Sequence, residues 1–114
     1  ETEMAKNVKV MKLLQTARGL IVKGWTRDNL AIDAGGNEVP VKSDRAKSFC
    51  AVGALRRAEF NQGTTGVAAK ARRVLRSALP KNATHGGSVI MFNDYADKRQ
   101  VLKLFDRAIA RVSK

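Results

Sequence analysis

Arg99, Lys103, Arg107 and Arg111 recur every four residues near the end of a 114-residue chain. On a helix that spacing stacks them along one stripe. Each of the three successive like-charge pairs costs about 0.2–0.5 kcal/mol in an isolated helix. Arg107 and Arg111 recover part of that cost, because the C-terminal end of a helix carries partial negative charge. A second basic stripe is formed by Lys70, Arg72, Arg73 and Arg76, in a stretch with no acidic residue between Glu59 and Asp94. Arginine's rigid fork of donors fits phosphate two bonds at a time. The chemistry on offer is phosphate binding, and the plainer alternative is a solvated basic face. Arg56, Arg57 and Lys81 add to the two stripes. Whether the stripes share one face depends on the fold.

The whole chain leans the same way. It holds 22 Lys and Arg against 10 Asp and Glu, a net charge of +12. Such an excess speeds association with polyanions, of which nucleic acid is the commonest inside a cell. Acidic proteins and anionic membranes come next. Base-specific readout has less support. The aromatic residues are Trp25, Phe49, Phe60, Phe92, Tyr95 and Phe105, and most fit a core better than a stacking platform. No zinc-finger, RNA-recognition or KH pattern occurs. A helix-turn-helix between residues 44 and 79 would need an unusually long turn, and its Arg-rich helix lacks Asn or Gln for reading adenine. The expected function is a non-enzymatic nucleic-acid-binding protein that contacts phosphates through Lys70, Arg72, Arg73, Arg76, Arg99, Lys103, Arg107 and Arg111. The alternative is a small interaction module that binds an acidic host protein.

Catalytic constellations are weaker. Cys50, His85 and Asn93 follow the chain order of papain-like cysteine proteases, and a thiol with a histidine base is real chemistry. None of the local papain signature surrounds Cys50, which reads as a buried structural residue inside a helix. His85 falls in a loop beside Gly86 and Gly87. One Cys and one His make neither an internal disulfide nor a metal cluster, so no cofactor is expected. Asp94 and Asp97 could act as a carboxylate pair, but Asp97 is better placed as a helix cap. The glycine pairs at 35–36 and 86–87 lack a phosphate-loop pattern and read as turns.

These side chains need elements to hold them. Residues 5–23 read as a helix with Val10, Leu13, Leu14, Ala17, Leu20 and Ile21 on one arc and Gly24 as its stop. Residues 29–41 alternate around Asp33–Asn37 and predict a β-hairpin, with Pro40 confining it to a sheet edge. Ser43 is expected to cap a helix over about 44–60 that is apolar all round and therefore central. Thr64 or Thr65 should cap the next helix, which stops at Pro80. Ser88–Tyr95 forms a short apolar segment of one or two turns. Asp97 caps a last helix running to about residue 112. The expected fold is α+β and predominantly helical, with about four helices around the small-residue helix and one hairpin. Residues 1–4 are expected to be a tag or disordered N-terminus, and 5–113 a single compact domain. No signal peptide and no apolar run near ~20 residues occurs, and the single cysteine suits a reducing compartment, so a cytoplasmic location is expected.

Three stretches together carry a resemblance. They are Ala17-Arg18-Gly19-Leu20-Ile21 with Gly24-Trp25-Thr26, then Phe49-Cys50-Ala51-Val52-Gly53-Ala54-Leu55, then Phe92-Asn93-Asp94 leading to Phe105-Asp106-Arg107-Ala108-Ile109. This order resembles a family of short bacterial and phage proteins of unknown function, with Trp-Cys-Ala-x-Gly-Ala-Leu in the middle and Trp-Asn-Asp near the end. The resemblance spans about residues 13 to 110. It departs from the pattern at Phe49 and Phe92, where phenylalanine can serve the same packing. It implies an intact compact domain of bacterial or phage origin and carries no activity with it. Members of that family are not notably basic, so the resemblance attaches the charge to this chain and not to the family.

Overall fold

The computed structural model describes residues 3–81 and 87–113. In chain order the elements are α1 (Glu3–Lys23), β1 (Ala31–Ile32), β2 (Ser48–Phe49), α2 (Ala51–Gln62), α3 (Val67–Ser77), α4 (Val89–Tyr95) and α5 (Lys98–Val112). The fold is α+β and mostly helical, as its patterning predicts. It has five helices among the described residues, because the short apolar segment after Ser88 is a helix in its own right, with the Ser88 Oγ accepting from the Met91 N–H at 3.2 Å.

α1 packs against α2, α3, α5 and β2. Val10, Leu13, Leu14, Ala17 and Ile21 on its apolar arc are all buried. Its last turn closes at Gly24, whose N–H donates to the Leu20 carbonyl at 3.0 Å. β2 then crosses so closely that a Cβ on Gly24 would lie 2.7 Å from the Ser48 Oγ and collide with the Lys47 carbonyl oxygen. Glycine is required there by close approach.

The turn expected within 29–41 forms. The Asp33 N–H donates to the Asn37 carbonyl, and the Asp33 Oδ1 accepts from the N–H groups of Gly35 and Asn37, all at 2.9 Å. The Asn37 N–H is the main reason that the Asp33 carboxyl is held below its ordinary pKa. The strand that pairs with β1, however, is β2. It runs antiparallel, with Ala31 opposite Phe49 and Ile32 opposite Ser48. The expected partner around Val39 makes only a single bridge, Ile32 to Glu38, and one bond from the Val39 N–H to the Ala31 carbonyl. Pro40 has no N–H with which to extend a ladder. The chain instead turns at 40–46, through bonds from Ser43 N–H to Pro40 O and from Ala46 N–H to Ser43 O, and returns as β2.

This pairing also corrects the expected helix at 44–60. α2 starts at Ala51, and its N-cap is Cys50 rather than Ser43, with the Sγ accepting from the Gly53 N–H at 3.3 Å. Ser43 Oγ caps only a local turn at Arg45. Residues Ala51 to Leu55 are buried on every side, whereas Arg56, Phe60, Asn61 and Gln62 reach solvent. Gly53 is the close-approach point on this helix, because an added Cβ would collide with the Leu30 carbonyl and lie 2.7 Å from its carbon.

α3 is capped by neither Thr64 nor Thr65. Its N-cap is Gly66 at φ 81°, a left-handed conformation suited to glycine. A carboxylate from α2 serves the open end instead: the Glu59 Oε2 accepts from the Ala68 N–H at 2.8 Å. α5 begins with the expected Asp97 cap as a full capping box, Gln100 N–H to Asp97 and Asp97 N–H to the Gln100 side chain. Val101, Leu104, Phe105 and Ala108 bring its inner face into the core. Arg18 ties α1 to α5 through a two-pronged bridge to Asp106 at 2.7 and 3.1 Å, worth up to about 1 kcal/mol at that exposed site. Among the described residues no helix is long and apolar enough to cross a membrane.

Candidate functional site

α3 stands between two open grooves. The first, about 700 Å³, lies between α1, α3 and α5. Its cations are Lys6, Lys70, Arg73 and Arg111, around Val10, Val74 and Val112. The second, about 560 Å³, lies between α2, α3 and the start of α4. Its cations are Arg56, Arg72, Arg73 and Arg76, above Val52, Leu55 and Val89. Arg73 lines both. Among the described residues no carboxylate lines the first groove, and Glu59 is the only one lining the second. All four members of the α3 stripe therefore face grooves, and cations from three other helices join them.

The apolar face of α3 explains this placement. Ala71, Leu75 and Ala78 are buried, so the basic residues flanking that face emerge on either side of the helix. Arg76 lies along the second groove, 3.4 Å from where a Cβ on Gly87 would stand.

The stripe on α5 is divided. Arg107 Nε donates to the Ala78 carbonyl at 3.1 Å, which ties a cation to the negative end of α3. Arg111, one turn further on, stands beside Lys70 and Arg73. α5 thus runs antiparallel to α3 here. Arg99 and Lys103, expected as contacts from their place in the ladder, line neither groove. Both are exposed. Lys6 is the groove residue that sequence reasoning missed. It carries no local signal, because only the docking of α1 beside α3 brings it there.

Asn93 is the one fully buried polar side chain among the described residues, at 0% exposure. Its Oδ1 accepts from the Trp25 indole N–H at 2.8 Å and from the Ala51 N–H at 3.0 Å. Its Nδ2 donates to the Thr26 carbonyl at 3.1 Å and to the Asp94 Oδ1 at 3.3 Å. All the hydrogen-bonding capacity of the amide is used. The same Asp94 oxygen accepts from the N–H of Asp28, a non-glycine residue at φ 68°. Arg27 donates to the Ala96 carbonyl and lies over Trp25, 4.9 Å from the ring centre. The stretches around Trp25, Cys50 and Asn93 that stand out in the sequence thus meet at one amide. Asp94 and Asp97 do separate work, one on Asp28 and the other at the start of α5.

Cys50 lies at the start of α2 and not in its interior. It is buried, and burial pushes its thiol above the ordinary value. A thiol so raised is protonated across the neutral range and is a poor nucleophile. Asn93 spends its side chain on Trp25, Ala51, Thr26 and Asp94, and His85 lies outside the described residues. Native protein is expected to resist iodoacetamide near neutral pH, while urea-unfolded protein takes up one label. Rapid stoichiometric labelling of the folded protein would show that the thiol is accessible and activated. Among the described residues no group of His, Cys, Asp or Glu could hold a metal ion.

No curated protein and no solved structure is significantly similar to the chain. One family model matches residues 5–111, a span that takes in the Asn93 network, the second groove and all of the first but Val112. The chain belongs to the family of unknown function DUF6197.

Proposed function

We propose that this protein is a non-enzymatic nucleic-acid-binding protein, a bacterial or phage accessory factor of the cytoplasm, that holds phosphates in the two grooves flanking α3. The observation that carries this reading is convergence. Lys6, Arg56 and Arg111 come from three other helices to meet Lys70, Arg72, Arg73 and Arg76. A merely solvated face gains nothing from gathering cations across four helices, since gathering them raises self-repulsion. A polyanion laid across α3 relieves that repulsion and releases its own counterions. Arg99 and Lys103 then contribute to the general field and not to the contacts.

Fluorescence polarisation with labelled duplex DNA, single-stranded DNA and RNA tests this between roughly 50 and 300 mM salt. About six phosphate contacts give a log–log salt slope of roughly −5 on duplex and −4 on a single strand. Binding no tighter or steeper than that of a control protein of similar charge would remove the reading. The second reading is an acidic host protein, favoured by the apolar side chains beneath both sets of cations. It would show as nucleic acid failing to bind even at low salt.

A further inference from the structure

The two grooves differ in one chemical respect. The second holds a carboxylate among its arginines. Glu59 is half-buried, and its Oε2 accepts from the Ala68 N–H at 2.8 Å. Among the described residues its other oxygen takes no hydrogen bond, and no ion pair joins it to an arginine of the groove. Beneath it the floor is apolar, formed by Val52, Leu55 and Val89. One oxygen of Glu59 is used at the start of α3, but the other is a negative acceptor in the groove, where it repels a ligand that is phosphate alone. A site for a base together with its phosphates can use it, because a carboxylate is an acceptor-only group that selects ligands with donors.

We propose that this groove takes one unstacked guanine of a single strand, an inference that rests on the nucleic-acid reading above. Guanine alone among the standard bases offers two adjacent donors, N1–H and the N2 amino group, on its Watson–Crick edge. These match the two oxygens of Glu59, since Oε2 keeps a second lone pair beside the one used by Ala68. Bases are read on that edge when they are splayed out of a single strand, and guanidinium planes can stack on them. The ring lies over the valine and leucine floor. Arg72 and Arg76 hold the flanking phosphates, and Arg73 passes the strand toward the first groove. A duplex hides the same edge in its base pair and is not read this way.

The test is polarisation binding, near 150 mM salt, of short labelled oligothymidylate and of the same strand carrying one central guanine, adenine or cytosine. Wild type is expected to bind the guanine strand roughly tenfold more tightly than the other three, the size of one good two-pronged base contact. Glu59→Gln keeps an acceptor for Ala68 but puts an amide donor where the second oxygen was. It should raise binding of the thymidylate, adenine and cytosine strands by removing a negative charge, and should bring the guanine strand to the same level, abolishing its preference. Circular dichroism checks that its helices are intact. Equal binding of all four strands by wild type, or a guanine preference that survives Glu59→Gln, overturns the inference and leaves the phosphate reading standing. Failure of every strand to bind while duplex binding persists overturns the inference alone, and failure of duplex DNA and RNA as well removes both.

Discussion

Asn93→Ala is expected to lower the unfolding free energy by about 3–4 kcal/mol, at the upper end of what single substitutions do. The side chain is fully buried, so water cannot replace what it supplies. Removing it leaves the buried Ala51 N–H without an acceptor, and an orphaned buried donor costs about 1–3 kcal/mol. The Trp25 indole N–H and the Thr26 carbonyl lose partners as well, at lower cost because they lie nearer solvent. The cavity left by the amide adds to the loss. Trp25→Phe removes the indole donor and part of the ring, leaves the Ala51 bond in place, and should cost less than Asn93→Ala, about 1–2 kcal/mol. Urea titration measures both, and in Asn93→Ala the single tryptophan, Trp25, reports directly on the site. A loss below about 1 kcal/mol for Asn93→Ala, less than one orphaned donor should cost, would mean that the three segments are held together by packing and that the amide is incidental.

The same network shows which parts of this protein can be read along the chain and which cannot. α3 and α5 each bury one face and expose the other, so their apolar arcs, the stop before Pro80 and the Asp97 cap are all legible locally. Ala46, Phe49 and Cys50 continue the apolar run of α2 into residues that are in fact a turn, a strand and the N-cap. What decides against helix there is tertiary. β1 offers Ala31 and Ile32 as pairing partners, and Leu30 presses against Gly53. A sulfur is also an uncommon N-cap, and nothing local distinguishes Cys50 from an interior position. The site divides along the same line. The α3 stripe is visible as one half of an amphipathic pattern. The tie from Arg107 to Ala78 is not, because it depends on where a second helix ends. Lys6 and Glu59 acquire their places only when α1 and α2 dock against α3.

That division makes the second large effect a test of geometry as well as of charge. A variant with Arg72, Arg73 and Arg76 all changed to Gln is expected to lose nucleic-acid affinity by roughly a hundredfold on duplex near 150 mM salt. Three fewer contacts at about 0.9 each reduce the salt slope by about 2.7. Carried from about 1 M salt, where the electrostatic contribution vanishes, down to about 150 mM, that change corresponds to about two decades. On a single strand the slope falls by about 2.1 and the loss is roughly fifty-fold. Changing Arg99 and Lys103 to Gln removes two charges against three, but from a stretch of α5 that lines neither groove. Its slope should stay within about half a unit of wild type. Arg107→Gln should act on stability instead, because that guanidinium serves the Ala78 carbonyl. If the α5 pair lowers the slope by as much per residue as the α3 triple does, charge alone governs binding. The grooves would then have no privileged role, since net charge responds to the number of cations removed whereas a contact site responds to where they stood.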